Sequence, residues 1–207
     1  MRTFVVLLAI CASASPAVVL DRVAVVVNQH VIKSSDIDRA VRLTDFLNNE
    51  RVANNAAEKK KAADRLIDQE VIRTEVATGR YSRPPEKDAE ALLAQIRRER
   101  FGGSETRLKQ ALGQYGITED ELRAQLLWQL TVLRFINERF RPGVLISDDE
   151  IRNYYEQHRS SFRGTLESAS SAIRTSLEGE QINQQFETWL QGARGRATIE
   201  YKQEAFL

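Results

Sequence analysis

The sequence predicts a mainly α-helical protein that carries one small antiparallel sheet. Strand-like segments occur only near the two ends of the chain, as a β-branched run at 23–27, a short continuation at 31–32 and an alternating segment at 197–201. The residues between them show helical spacing of apolar side chains and repeated helix-capping patterns. Because an unpaired strand leaves its main-chain hydrogen bonds unsatisfied, we expect the terminal strands to pair with each other.

The first predicted elements are a hairpin and two helices. The polar residues 28–30 interrupt the apolar strand residues and predict a tight turn between two strands. Ser34 or Ser35 is expected to cap a helix over about 36–49, because serine favours the N-cap position. A stretch rich in asparagine then precedes a second helix, predicted over about 56–78.

The middle of the chain predicts three more helices. Proline, serine and glycine set their bounds, giving one helix from Pro84-Pro85 to Phe101, one from Ser104 to Gly116 and one over about 119–140. Thr118 and Glu121 form a capping-box pattern at the start of the last of these. The same helix carries the clearest amphipathic stripe of the chain, formed by Leu122, Leu126, Leu130, Leu133, Ile136 and Phe140.

The last part of the chain predicts two helices and the final strand. Ser147 and Glu150 repeat the capping box ahead of a helix over about 148–160. A long helix over about 166–193 follows, and its apolar spacing slips by one residue near Gly179. We therefore expect a kink, or a break into two helices, at that glycine.

The N-terminus has the pattern of a secretory signal peptide. Arg2 supplies a basic start, residues 4–11 form an apolar run, and Ala-Ser-Ala at 12–14 matches a cleavage site. We expect residues 1–14 to be the signal peptide, with cleavage as late as residue 17 as the alternative. The apolar run is shorter than the roughly 20 residues that span a bilayer, so we expect no transmembrane segment in the mature chain.

A signal peptide predicts export, and the cysteine content favours the bacterial periplasm. Cys11 is the only cysteine, so its removal with the signal leaves a chain that forms no disulfide. The same segment is compatible with two alternatives. Cys11 could carry a lipid anchor, although Ile10 before it is larger than the residue usual there, or an uncleaved anchor helix could extend to residue 20.

The composition argues against several classes of function. Lys and Arg number 30 and Asp and Glu 29, so no global positive charge predicts nucleic-acid binding. His30 and His158 have no partner at metal-ligand spacing, and the acidic triplets 119–121 and 148–150 start predicted helices, where negative charge stabilises the helix. Glycine-rich phosphate motifs and nucleophile elbows are missing. We predict no catalytic residue, no metal site and no cofactor.

Four segments of the sequence carry a resemblance to a known family. Residues 20–37 (LDRVAVVVNQHVIKSSDI) combine a strand, a turn and a helix start, and the other segments are 66–72 (LIDQEVI), 115–118 (YGIT) and 146–155 (ISDDEIRNYY). In this order they resemble segments of SurA-like periplasmic chaperones and related parvulin-type foldases. The resemblance implies one SurA-like helical chaperone domain over 20–207, whose C-terminal part 166–202 returns to the N-terminal strands.

The chain departs from the resembled family after the predicted helix 148–160. In the family, a parvulin prolyl isomerase domain normally follows this helix. Here residues 158–162 lead almost at once into the last predicted helix, and the histidine-bearing, glycine-rich signatures of that domain are missing. We therefore expect no prolyl isomerase activity, and an isomerase with an unrecognised site is the least favoured alternative.

The resemblance implies an ATP-independent holdase that binds unfolded or partly folded exported proteins, such as outer-membrane β-barrel precursors. Grooves between helices can take apolar segments of such clients. The candidate contact residues are apolar side chains in excess of those that a core requires. The alternative for each residue is that it is simply buried in the core. They are Phe101, Tyr115, Trp128, Phe135, Tyr154 and Tyr155. Trp128 is the favoured one, because it falls off the leucine stripe.

A different class of function fits the same predicted fold. The helical body could serve as a dedicated assembly or scaffold partner in the envelope, or form a homodimer by exchange of a terminal strand or helix. Suppression of aggregation separates the two, since a chaperone protects unrelated unfolded clients and a dedicated partner does not.

Overall fold

A computed structural model describes residues 21–53 and 55–202. The predicted signal peptide lies outside the described residues. Within them lie the helices α1 Ser34–Asn48, α2 Ala56–Thr78, α3 Glu86–Phe101, α4 Glu105–Tyr115, α5 Glu119–Phe140, α6 Asp148–Gln157 and α7 Leu166–Arg196. The strands are β1 Val23–Val27, β2 His30–Lys33 and β3 Ile199–Tyr201. The prediction of a mainly α fold with a small antiparallel sheet is confirmed.

The sheet joins the two ends of the described chain. Its strand order is β2-β1-β3, and both pairings are antiparallel, with Val27 opposite His30 on one side and opposite Ile199 on the other. Asn28 opens the turn between β1 and β2 with a φ of 54°, a conformation that asparagine adopts more readily than most residues. Its main-chain N–H donates to the Thr198 carbonyl at 2.7 Å, so the hairpin turn is itself tied to the returning segment.

Both predicted capping boxes are present. At α5, the Thr118 N–H donates to the Glu121 carboxylate at 2.7 Å and the Glu121 N–H donates to the Thr118 hydroxyl at 3.2 Å. At α6, the corresponding bonds between Ser147 and Glu150 are 2.8 and 3.2 Å long. These bonds satisfy main-chain N–H groups that the first turn of a helix leaves without a partner.

The prediction that Ser34 or Ser35 caps α1 is wrong. Strand β2 continues to Lys33, so both serines enter the first helical turn. Carboxylates cap the helix instead: Asp36 accepts the Lys33 N–H at 3.0 Å and Asp21 accepts the Ser35 N–H at 3.2 Å. The hydrogen bond from the Ser35 hydroxyl also lowers the pKa of Asp21.

Helix α7 is continuous through Gly179, so the predicted kink or break does not occur. The slip in apolar spacing has another cause, which is a change of packing partner along the helix. Ile173 packs in a cluster with residues of α6, whereas Ile182 packs with residues of α2 and α5. A side chain at position 179 would meet no atom within 4 Å, so the glycine marks an open face.

The buried side chains form four clusters that share helices. One lies between the sheet, α1 and α2, and a second surrounds Phe46 among α1, α3, α4 and α5. A third joins α6 to α7, and the last surrounds Phe135 among α2, α5 and α7. Side chains of α7 contribute to three of the four clusters, so this helix is part of most of the core. None of the helices within 21–53 and 55–202 combines the length and apolar character needed to cross a membrane.

Candidate functional site

A cleft bounded by β2, α1, α2 and α5 is the candidate binding site among the described residues. Its volume is about 720 Å³, which lies in the range of sites that bind ligands and peptides. Its apolar lining consists of Val31, Ile32, Ala40, Leu43, Leu47, Leu66, Ala124 and Trp128. Because these side chains come from four elements that also share core clusters, the cleft is part of the packed body and not a surface irregularity.

Trp128 occupies one wall of the cleft because of its place on α5. Leu122 and Leu126 of the leucine stripe are buried, and Trp128 falls to the side of that stripe, facing α2. The guanidinium carbon of Arg73 lies 5.1 Å from the centre of the indole ring, in a cation–π contact between α2 and α5. The ring remains half-buried, so part of it is accessible from the cleft.

Most of the charged groups at the cleft lie close to a group of opposite charge. Arg39 lies 2.8 Å from Glu121 and 3.1 Å from Asp36. Glu70 lies 3.6 Å from the His30 ring and 3.7 Å from Arg73. The hydrogen bond from the Thr118 N–H, together with Arg39, lowers the pKa of Glu121 and keeps it ionised. The ion pairs therefore hold the walls of the cleft together without giving it a dominant charge.

Amide side chains also line the cleft. Asn48, Gln69, Gln125 and Gln129 line the cleft, and each offers both hydrogen-bond donors and an acceptor. Among the described residues, no group of three or more histidine, cysteine, aspartate or glutamate side chains could hold a metal ion. The chemistry that this site supports is reversible binding of an apolar ligand that carries its own polar groups.

Two of the residues predicted as contacts, Phe101 and Tyr115, lie together away from the cleft. Both pack on the buried ring of Phe46, with ring centroids at 6.3 and 5.4 Å respectively. The Tyr115 hydroxyl donates to the Glu50 carbonyl at 2.7 Å. These two side chains complete the core between α1, α3 and α4.

The remaining predicted contacts lie in two other places. Phe135 is 1% exposed and packs edge-on against Tyr81 and Trp189, so a ligand cannot reach it in this conformation. Tyr155 is 8% exposed, and its hydroxyl donates to the Gly164 carbonyl at 2.6 Å. Tyr154 is half-buried and stacks on His158 at the end of α6. Of the six, Trp128 alone lines the cleft.

The cleft also contains residues that the sequence did not single out. Val31 is 41% exposed and Leu66 is half-buried. Both looked like ordinary core positions of a strand and a helix. Arg73 gave no signal, because its contact with Trp128 joins positions far apart in sequence. The set becomes visible only where β2, α1, α2 and α5 come together in the fold.

No family model matches the chain. It is 22% identical over 166 residues to a foldase protein PrsA of Clostridium kluyveri, an alignment that covers 77% of this chain and 44% of that protein. It is 27% identical over 181 residues to a chaperone SurA of Chromobacterium violaceum, covering 85% of this chain and 42% of that protein.

The chain thus spans less than half the length of the curated relatives that it matches. The match nevertheless extends over most of the chain itself, in two proteins with folding-related names. The chain is weakly similar to a PrsA foldase and to a SurA chaperone, and the resemblance found in its sequence is confirmed.

Proposed function

We propose that the protein is an ATP-independent periplasmic chaperone that holds unfolded or partly folded exported proteins in the cleft beside Trp128. The observation that carries this proposal is the half-buried Trp128 in a cleft of about 720 Å³ that is lined by both apolar and amide side chains. Such a surface removes an apolar side chain from water and still satisfies the main chain of the bound segment.

The form of the cleft favours modest affinity. Ordering a flexible segment opposes binding, and the charged groups of the cleft that are already paired offer few strong new contacts. A holding chaperone without an energy source needs this property, because its client must leave unaided. The same surface tolerates many sequences, since amide groups and an indole ring select few particular side chains.

The clients in this proposal are precursors of outer-membrane β-barrels. The relationship to proteins named SurA and PrsA supports a role in protein folding, and the predicted signal peptide supports a place in the periplasm. Barrel strands alternate apolar and polar residues, so an unfolded barrel exposes many short apolar sites.

The proposal includes no prolyl isomerase activity for this chain. In the resembled family the isomerase domain follows the helix corresponding to α6, and here the connection 158–165 between α6 and α7 consists of one short 3-10 turn and its flanking residues. That connection is too short for a folded domain. Refolding of a proline-limited protein is expected to keep its rate when catalytic amounts of this protein are added.

The decisive measurement is light scattering from an unfolded outer-membrane barrel protein diluted out of denaturant, with and without the mature chain. We expect the protein to suppress scattering at a small molar excess, and Trp128→Ala to lose at least half of that suppression. The loss follows from removal of the largest apolar surface in the cleft.

The matched control is Leu133→Ala on the same helix. Leu133 is 56% exposed and does not line the cleft, so its replacement is expected to leave suppression unchanged. Circular dichroism of both variants checks that α5 stays folded. Failure of the wild type to suppress scattering at several-fold excess would contradict the chaperone proposal and favour a dedicated envelope assembly partner.

A further inference from the structure

Strand β2 has a free edge within the described residues. In the sheet order β2-β1-β3, strand β2 pairs with β1 along one edge, and no described strand pairs with its other edge. Consecutive residues His30, Val31 and Ile32 all line the cleft, although successive side chains of a strand point to opposite faces of its sheet. A cleft that contacts all three must run along the edge of the strand, and β1 covers the other edge. The cleft therefore lies beside the free edge of β2.

The hydrogen-bond pattern shows which main-chain groups face this edge. The Asn28 N–H donates to the Thr198 carbonyl at 2.7 Å, so the main chain of residue 28 faces β3. Groups two residues apart point to the same side of a strand, and Val26 therefore also faces β3. Val26 is the register partner of Val31 on β2. Because that pair exchanges no hydrogen bonds, the N–H and C=O of Val31 point outward, away from β1.

The composition of the cleft indicates what can lie along this edge. Three arginines, Arg39, Arg65 and Arg73, are balanced by three carboxylates, Asp36, Glu70 and Glu121. The balance favours a ligand without strong net charge. Outward N–H and C=O groups, amide side chains and apolar lining residues together complement an extended polypeptide with apolar side chains.

We infer that an extended segment of an unfolded client binds as an added strand on β2, paired through the main chain of Val31, with alternate side chains directed to the Trp128 side of the cleft. The inference rests on the proposed function and gives it a mechanism. Main-chain pairing supplies affinity that does not depend on sequence, while the alternation of an added strand suits the alternating residues of a barrel precursor.

The test uses three fluorescein-labelled peptides of about ten residues, the length of a barrel strand, in which tyrosine and leucine alternate with threonine and serine. One is unmodified. Another carries N-methyl groups on alternate residues, which leaves one edge of the strand able to pair. The last carries the same number of N-methyl groups on consecutive residues, which interrupts both edges. Binding to the mature protein is measured by fluorescence anisotropy.

We expect the unmodified and alternately methylated peptides to bind within about threefold of each other, and the consecutively methylated peptide to bind at least tenfold more weakly. Equal affinity for the two methylated peptides would overturn the inference of strand addition. It would show that the cleft recognises side chains and not the main chain. Absence of binding by the unmodified peptide would count against the proposed function itself.

A pair of variants tests the same inference from the protein side. Val31→Pro removes the outward N–H without removing a bond to β1, whereas Val31→Ala keeps that N–H and shortens the side chain. We expect a tenfold loss of affinity for the unmodified peptide in the proline variant and less than threefold in the alanine variant. Equal losses in two folded variants, judged by their thermal unfolding, would show that the side chain of Val31 carries the contact instead.

Discussion

The start of α5 depends on the reciprocal hydrogen bonds between Thr118 and Glu121. The bond from the Thr118 N–H, with Arg39 beside it, lowers the pKa of the glutamate below its ordinary value of 4.5. A carboxylate with a lowered pKa in the folded state stabilises the fold above the unfolded-state pKa. This contribution disappears as the pH falls through the lowered pKa, because the protonated group no longer accepts both bonds.

We therefore expect Glu121→Gln to reduce the difference in stability between neutral and acidic solution. The variant should have a lower urea midpoint than the wild type at pH 7 and a midpoint closer to it at pH 3, because glutamine does not titrate. The control is Glu187→Gln on the exposed face of α7, which should preserve the pH dependence of the wild type. An unchanged pH dependence in Glu121→Gln would contradict the assignment.

At the level of single residues, the sequence predicted the capping boxes of helices more reliably than it predicted which aromatic side chains are accessible. The capping boxes are local patterns over four positions, and both are present. Whether an aromatic residue is buried depends instead on which distant helix covers it. Phe135 and Trp128 lie two turns apart on one helix, yet α7 covers the first and the cleft leaves the second half-buried. No local pattern distinguishes them.

At the scale of elements, α7 shows that a change in apolar spacing need not break a helix. The helix runs unbroken from Leu166 to Arg196 while its buried face passes from α6 to α2 and α5. The sequence predicted the length of the helix closely and misread the slip at Gly179, because spacing alone does not show that the packing partner changes. The hydrogen bonds of the helix need no adjustment there.

Replacing a helical glycine that makes no close contact is expected to stabilise the protein. Gly179→Ala is expected to raise the free energy of unfolding by about 0.5–1 kcal/mol, because alanine loses less backbone freedom and meets no atom within 4 Å. Gly116→Ala should lower it by about 1 kcal/mol, since residue 116 has a φ of 63°. Urea unfolding measures both, and a destabilised Gly179→Ala would indicate a real weakness in α7.

Across the whole molecule, Arg194 fastens the C-terminal elements to the body. Its guanidinium lies 2.7 Å from Asp64 and 2.7 Å from Asp68 on α2. The Tyr201 hydroxyl of β3 donates to Asp64 at 2.7 Å. Burial raises the pKa of Asp68, while the bonds from Tyr201 and Arg194 outweigh burial and lower the pKa of Asp64. The positive charge of Arg194 thus lies within hydrogen-bond distance of the negative charges of both carboxylates.

Arg194→Ala is expected to lower the free energy of unfolding by about 1–2 kcal/mol, since two partly buried carboxylates lose their partner. Amide hydrogen exchange should speed up first in β3 and the end of α7. The matched control is Arg196→Ala, an exposed arginine in the same helical turn, which should cost little. Equal effects of the two substitutions would show that the cluster does not fasten the terminus.

The sequence predicted the pairing of the strands but not the position of the cleft. Pairing of the terminal strands was predicted because unpaired strands are unstable, and the structure confirms it. The cleft was not predicted in position, since it arises where β2, α1, α2 and α5 meet and no segment encodes it alone. The relationship to PrsA and SurA proteins supported a binding role but named no surface.

The bond between Thr198 and Asn28 joins positions 170 residues apart, and this separation constrains the order of folding. Closing so large a loop is slow compared with forming a local hairpin or helix pair. A chain emerging N-terminus first, from a ribosome or a translocation pore, forms the β1–β2 hairpin early and then waits for its third strand. We expect completion of the sheet to be a late kinetic step, because β1 cannot gain its second neighbour until β3 has been released.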